Sequence, residues 1–454
     1  MKQNILKKII KEKIKWISYR KKIQPLKKIA SIINIKTRDL YKSITKKKPS
    51  FILECKKSSP SFGIIKKKFN ILKIAQIYKK YASAISVVTE EKYFNGNIEN
   101  IPKIKKIVHQ PILCKDFIID PYQIYLAKYY QADAILLMLS ILNDNQYYEL
   151  SKLAKYLNLQ ILTEVHNLNE LERLKKFSPK IIGINNRNLK NLKINIKNTI
   201  KLAPLIKKKT CIISESGITT NFEVKKLNNF VNGFLIGTQL MKKKNLDLEI
   251  RKIIYGKNKI CGLTRHKDAY NSSFYGSVYG GLIFCKNSLR KINIKKAKTI
   301  IKNINLKFVG VFQNKNLKSV TNIVNKLKLN IVQLHGNENK EYISSLKNNI
   351  SKKIKIWKSI TLEQFLSNFY KIKYINYYLL DNNLPGSGIQ LNWKPLKHKN
   401  LNKIILAGGL NQKNIKLAMK LNSLGLDINS GVEKYIGIKS RKKIKLIFKN
   451  LRYY

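Results

Sequence analysis

At 454 residues the chain is too long for one ordinary domain and suits two or three. Hydrophobic residues make up 44% and charged residues 26%, enough apolar material for sizeable cores, which excludes a chain disordered throughout. Lysine and arginine number 91 against 25 acidic residues, a formal net charge of +66, yet the lysines run through every segment instead of forming a tail or stripe, so charge alone does not establish a nucleic-acid binder.

The first 22 residues place Ile5, Leu6, Ile9, Ile10, Ile14 and Ile17 at three- and four-residue spacings among lysines. That pattern predicts an amphipathic helix, expected to cover part of the domain it precedes rather than to lie on a membrane. Thr37 and Asp39 supply start signals for a second helix through Leu40, Tyr41 and Ile44. Short apolar runs then follow at a steady pace: FILEC at 51, AISVV at 84, PILCK at 111, DAILLML at 133, LQILTEV at 159, IIGIN at 181, TCIISES at 210 and NGFLIG at 232. Amphipathic segments separate them. Eight continuous apolar strands with intervening helices describe a closed parallel barrel.

After a basic connector around 254–258 the pattern begins again, with runs at KICGLT 259, VYGGLIF 278, KFVGVF 307, NIVQLHG 330, KIKIW 353, NYYLLD 376, KIILAGG 403 and GLDINSG 425. The expected fold class is therefore α/β, two fused (β/α)8 barrels over residues 1–256 and 257–454, the first with an N-terminal helical extension. The five cysteines lie far apart with no C-x-x-C pair, and the five histidines show no i, i+4 pair. Neither a metal nor a disulfide framework is indicated, and a reducing cytoplasm is the expected setting. No signal-peptide core is present, and the longest near-apolar run, Ala134 to Leu142, is interrupted by Ser140 and too short to span a bilayer. A soluble protein is expected.

In such barrels the reactive groups stand at the C-terminal ends of strands. Those positions in the first half hold Glu54 and Lys56, Lys115 and Asp116, Glu164, Asn185 and Arg187, then Glu215, Ser216 and Gly217, and finally Gly237 and Thr238. Strand alternation sends Glu54 and Lys56 to one side. Two lysines and three glutamates around one rim would be costly together unless they held one another's charge and a substrate. The Ser-Gly and Gly-Thr turns suit a phosphate held by backbone N–H groups.

ILECKKSSPS, ILCKDFIIDPYQI, LTEV, GINNRNL, ISESGI and FLIG, in that order, resemble the strand-end motifs of indole-3-glycerol-phosphate synthase. The resemblance implies closure of an indole ring on 1-(2-carboxyphenylamino)-1-deoxyribulose 5-phosphate with loss of carbon dioxide and water. It implies Lys115 as general acid on the substrate carbonyl, Glu164 as its acid/base counterpart, and Lys56 close by for the carboxylate and the dehydration. Glu54, Asn185, Glu215 and Ser216 would orient these groups, and Ser59, Arg187, Gly217, Gly237 and Thr238 would bind substrate, mainly its phosphate end. Thr238 stands where a serine is expected; backbone contact makes the difference small.

In the second half CGLTR, GGLIF with the following S-x-R, VGVF, QLHG, LLD with the later GSG, LAGGL and GLDINSGVE resemble phosphoribosylanthranilate isomerase. That family carries out an Amadori rearrangement of N-(5-phosphoribosyl)anthranilate. The resemblance implies Cys261 as general base at C2 and Asp381 as general acid opening the ribose ring. Arg265 is a local candidate for lowering the thiol's pKa. Arg290 would grip the anthranilate carboxylate, and the turns at Gly408, Gly409, Ser430 and Gly431 would hold phosphate. His335 reads as a packed residue beside the site, and Pro385-Gly-Ser-Gly as a flexible turn. His266 and the IGIKS segment at 436–440 depart from the family pattern.

The sequence thus leads to a bifunctional enzyme of tryptophan biosynthesis acting on small phosphorylated anthranilate-derived substrates. It is expected to need no cofactor or metal and to work as a cytoplasmic monomer with no specific nucleic acid. The alternative is a basic nucleic-acid-binding protein on a barrel scaffold.

Overall fold

Strands that are apolar along their whole length must be covered on both faces, and closing a parallel sheet on itself inside a ring of helices achieves this. The computed structural model describes residues 5–30, 36–189, 191–368, 372–382 and 389–453. It divides into two compact units, Met1–Ile250 and Arg251–Tyr454. Each contains one closed, all-parallel eight-stranded barrel.

The first barrel runs β1 (Ser50–Cys55), β2 (Ala84–Val88), β3 (Ile112–Lys115), β4 (Ala134–Met138), β5 (Gln160–Val165), β6 (Ile181–Asn185), β7 (Cys211–Glu215) and β8 (Gly233–Ile236). Closure pairs β8 with β1, from Ser50 opposite Gly233 to Leu53 opposite Ile236. Alternation turns Ile52, Leu113, Leu136, Leu162, Ile213 and Leu235 into one interior apolar cluster. Two residues further along β1, β3, β5 and β7 the same inward face presents Glu54, Lys115, Glu164 and Glu215. One strand thus supplies both the floor and the chemistry.

Helix Leu40–Thr45 closes the opposite end. Asp39 caps it by accepting from the Lys42 amide at 2.8 Å, and Leu40 and Ile44 are fully buried in the interior cluster. Helix Ile5–Ile23 covers part of the same unit, as its periodicity predicts, but its buried face is narrower than the apolar pattern. Ile9 and Ile17 are buried, whereas Ile14 is 54% exposed. Between them in helical register sits Lys13, itself buried, with Nζ 2.7 Å from Asp116 Oδ1. Lys21 pairs with Asp120 at 2.8 Å and Arg20 donates to the Tyr130 hydroxyl at 2.9 Å, fixing the helix against the segment after β3.

The second barrel runs β9 (Lys259–Ile260), β10 (Tyr279–Ile283), β11 (Lys307–Phe312), β12 (Ile331–Leu334), β13 (Lys355–Ile360), β14 (Ile375–Leu380), β15 (Ile404–Leu406) and β16 (Gly425–Ile428). Closure pairs Lys259 with Asp427 and Ile260 with Ile428. β9 is much shorter than the KICGLT run suggests. Gly262, with φ at +65°, turns the chain out of the strand. No helix among the described residues is long and apolar enough to cross a membrane. The Pro385-Gly-Ser-Gly turn lies outside the described residues.

Removing the buried end of the capping helix with Ile44→Ala should destabilise the first unit by roughly 2–5 kcal/mol, the usual cost of truncating a fully buried isoleucine. Urea titration read by hydrogen–deuterium exchange on peptides from that unit measures it.

Candidate active sites

The C-terminal ends of β1 to β8 surround a cavity lined by Glu54, Lys56, Lys115, Glu164, Asn185, Arg187, Glu215, Ser216, Gly217, Gly237 and Thr238. Ser59 does not join them. It is buried on a short hairpin, Ser58–Ser59 with Gly63–Ile64, and its Oγ has no hydrogen-bond partner among the described residues.

The charges interlock. Lys56 Nζ lies 2.6 Å from Glu54 Oε1. Lys115 Nζ lies 2.8 Å from Glu215 Oε2 and 3.5 Å from Glu164 Oε2. Glu164 meets a residue outside the strand-end set: His166 Nε2 is 3.1 Å from Glu164 Oε1, and its Nδ1 is 3.2 Å from Glu170 Oε2. Glu170 also accepts from the His166 amide at 2.8 Å, fixing the ring from behind. His166 was legible in principle, since it follows Glu164 by two residues in E-V-H.

Burial opposes ionisation of every group here, and the partners decide the outcome. For Glu54 burial pushes the pKa up, but Lys56 and then Lys115 hold it below the ordinary value. For Lys115 burial works against the ammonium, yet Glu215, Glu164 and Glu54 hold it well above the usual lysine range. Glu164 is also buried, and Lys115 and His166 together keep it well below the carboxylate norm. Glu215 goes the other way: burial, reinforced by the neighbouring Glu164 charge, raises it to about 7 despite Lys115. His166, though buried, is raised to about 10 by Glu164 and Glu170. The mouth therefore holds an ammonium able to give a proton, an ionised carboxylate able to take one, and a second carboxyl poised near neutrality.

Space for these carboxylates comes from glycine. A Cβ on Gly183 would stand 2.1 Å from Glu215 Oε1, and one on Gly237 would stand 2.0 Å from Glu54 Oε1. Asn186 ties β6 to β7 by donating to Ser214 Oγ and to the Ser216 carbonyl, each at 3.0 Å. Ser216 takes a left-handed φ of +64° there. Arg187 donates to the Leu192 carbonyl at 3.1 Å from the cavity wall.

The second barrel has its own cavity, lined by Cys261, Arg290, Asp381, Gly408, Gly409 and Ser430, with His335 and Asp427. Gly431 is not on its wall and packs against the Leu410 carbonyl. Arg265 does not face the thiol: its guanidinium forms a bidentate pair with Asp268 at 2.9 and 2.8 Å. The cation on Cys261 is Lys259, whose Nζ stands 3.2 Å from Sγ. Arg290 reaches the cavity, but its Nε and Nη2 already bind Glu433 at 2.9 and 2.8 Å, and Lys439 shares that carboxylate at 2.8 Å. Burial raises Asp381 to about 6. Burial, then the nearby Lys259, lowers His335 to about 4, so its ring is neutral; Nε2 lies 3.3 Å from Ser359 Oγ and 3.8 Å from Asp381 Oδ2. Among the described residues no cluster of three or more His, Cys, Asp or Glu side chains is arranged to hold a metal.

The His166 clamp has a pH signature. A histidine raised from 6.5 to about 10 on folding contributes stability that is fully present below 6.5 and is lost as pH climbs through 10. Denaturant titrations of the first unit should show a decline over that window in the parent chain and a flatter profile in His166→Gln.

Comparison with known proteins agrees with this layout. The family model described as indole-3-glycerol phosphate synthase matches residues 6–253, and that described as N-(5'phosphoribosyl)anthranilate (PRA) isomerase matches residues 258–450. The "Tryptophan biosynthesis protein TrpCF" of Buchnera aphidicola subsp. Schizaphis graminum is 55% identical over 453 residues, covering 100% of both chains. The proteins of the same name from Vibrio cholerae and Salmonella typhi are 46% and 43% identical, covering 99% and 100% of this chain and 96% and 100% of their own. The chain belongs to the bifunctional tryptophan-biosynthesis family that joins an indole-3-glycerol-phosphate synthase barrel to a phosphoribosylanthranilate isomerase barrel.

Proposed function

We propose that the two mouths divide the family's consecutive reactions between named residues, with residues 1–256 as the synthase and 257–454 as the isomerase. The observation that carries the synthase assignment is the buried Lys115 ammonium held between Glu215 and Glu164. Ring closure needs a proton delivered to a ketone oxygen while carbanion-like density attacks the carbonyl carbon and the C=O pair moves onto that oxygen. Lys115 supplies that proton, and its charge stabilises the developing oxyanion. Glu164, kept ionised by Lys115 and His166, takes up a proton on the other side of the exchange. Lys56 faces the substrate carboxylate and assists the dehydration, with Glu54 holding its ammonium. Asn185, Glu215 and Ser216 orient these groups, while Arg187, Gly217, Gly237 and Thr238 receive the phosphate end. Ser59 is left out of that set, because its side chain is buried away from the cavity wall.

In the isomerase, Asp381 protonates the ribose ring oxygen as the ring opens, and Cys261 removes the proton from C2. The raised Asp381 pKa keeps a fraction of that carboxyl protonated near neutrality. Arg290 offers the substrate carboxylate the edge of its guanidinium that Glu433 leaves open, and Gly408, Gly409 and Ser430 form the phosphate end, Gly431 being left out because it is off the cavity wall. We also propose a cytoplasmic monomer acting on small phosphorylated anthranilate-derived substrates with no specific nucleic-acid partner.

Separate assays of the two conversions test this division. Lys115→Ala should cut ring closure by about 10²–10⁴-fold and spare the isomerase, with Cys261→Ala doing the reverse. Loss of both activities from either change in a folded chain would refute separate sites. Gly183→Ala drives a methyl into the Glu215 carboxylate and should slow ring closure by about 10²-fold, the scale of a 1 Å misplacement, without touching the isomerase.

A further inference from the structure

We propose that Lys259 is the charge that stabilises the Cys261 thiolate against its burial, making it a positioning residue of the isomerase; this rests on the reading of Cys261 as the base. Lys259 and Cys261 lie two residues apart and share one face at the end of β9. The Lys259 side chain is fully buried. Its Nζ has three protons and three partners: Cys261 Sγ at 3.2 Å, Gln333 Oε1 at 2.8 Å and Asp427 Oδ2 at 2.8 Å. No proton of that ammonium is left over for water or substrate.

The other two partners hold it in that pose. Asp427 stands opposite Lys259 in the β9–β16 register and secures its charge. Gln333 must present oxygen, not nitrogen, to Lys259. Its amide nitrogen is engaged 3.1 Å from Nδ1 of His335, whose neutral ring can accept there.

The groups facing the thiol act in both directions. Burial, the largest influence, pushes it up and Asp427 opposes ionisation, so the thiol stays above its ordinary value although Lys259, with Lys439 behind it, pulls it down. Arg290 and Cys285 adjoin it after β10, and His335 and Asp381 line the same cavity. Lys259 is the largest of the influences favouring thiolate. In the proton transfer an S–H bond forms as the C2–H bond breaks. The released pair enters the C1–C2 bond and the iminium pair returns to nitrogen. Lys259 keeps its protons throughout and faces a second anion, beside Asp427, whenever the sulfur is ionised.

The test is the ultraviolet thiolate absorbance of the full chain titrated against pH, with Cys261→Ser as the blank that isolates this sulfur. Lys259→Met should move the Cys261 midpoint upward by about one unit or more, a roughly tenfold fall in thiolate at fixed pH. Isomerase kcat should fall with it, while ring closure by the same chain, the folding control, stays unchanged. An unshifted midpoint in a chain that retains ring closure would overturn the proposal. Should Lys259→Met disrupt the second barrel, Lys259→Met/Asp427→Asn removes both buried charges, and its midpoint, read against Asp427→Asn alone, should again lie higher; no difference between the two would overturn the proposal. Full isomerase activity in Cys261→Ser would instead sink the base assignment and leave the Lys259 result standing by itself.

Discussion

A lysine ammonium taken out of water survives only where carboxylates surround it, and this constraint organises both barrels. Desolvating an isolated charge costs several kcal/mol even after relaxation, so each buried cation must arrive with its acids already in place. A closed ring of strands achieves this, because neighbours in space come from distant points of the chain. Glu215 reaches Lys115 from four strands further along, and Asp427 reaches Lys259 from the opposite end of the second unit. Loss of either ring closure would strand a charge in an apolar interior. Stability and reactivity therefore draw on the same contacts here.

Volume is the second constraint. The interior of a small barrel is filled by side chains, so a carboxylate can enter only where a neighbouring strand presents nothing. Gly183 and Gly237 leave those vacancies beside Glu215 and Glu54. The glycine after β8 therefore has a structural duty next to its proposed phosphate contact, and its identity is constrained from the carboxylate side as well.

Much of the layout was legible in the chain. Parallel strands buried on both faces leave uninterrupted apolar runs, and sixteen of them give two rings almost by inspection. The strand-end motifs place Glu54, Lys115, Glu164, Cys261 and Asp381 at the two mouths because position along a strand determines height in the barrel. Contacts that depend on which distant group lies opposite were less accessible. Lys13 occupies a place where helical periodicity calls for an apolar side chain, since its partner Asp116 is far off in the sequence and adjacent only in the fold. Arg265 follows Cys261 closely in sequence yet turns outward to Asp268, while Lys259, two residues before the thiol, shares its face. Alternation along β9 carried that information. Proximity in sequence was the weaker guide. His166 was hidden for a different reason: its role rests on being pinched between Glu164 and Glu170, one on the strand and one on the helix that follows.

The ion pair from helix Ile5–Ile23 to Asp116 bears on where the synthase catalytic unit begins. Asp116 adjoins Lys115 and holds Thr89 by a 2.7 Å hydrogen bond, so its carboxylate links the ends of β2 and β3. Its countercharge comes from outside the ring of strands altogether. An excised barrel starting at β1 would keep all eight staves and still carry an uncompensated anion at the shoulder of Lys115.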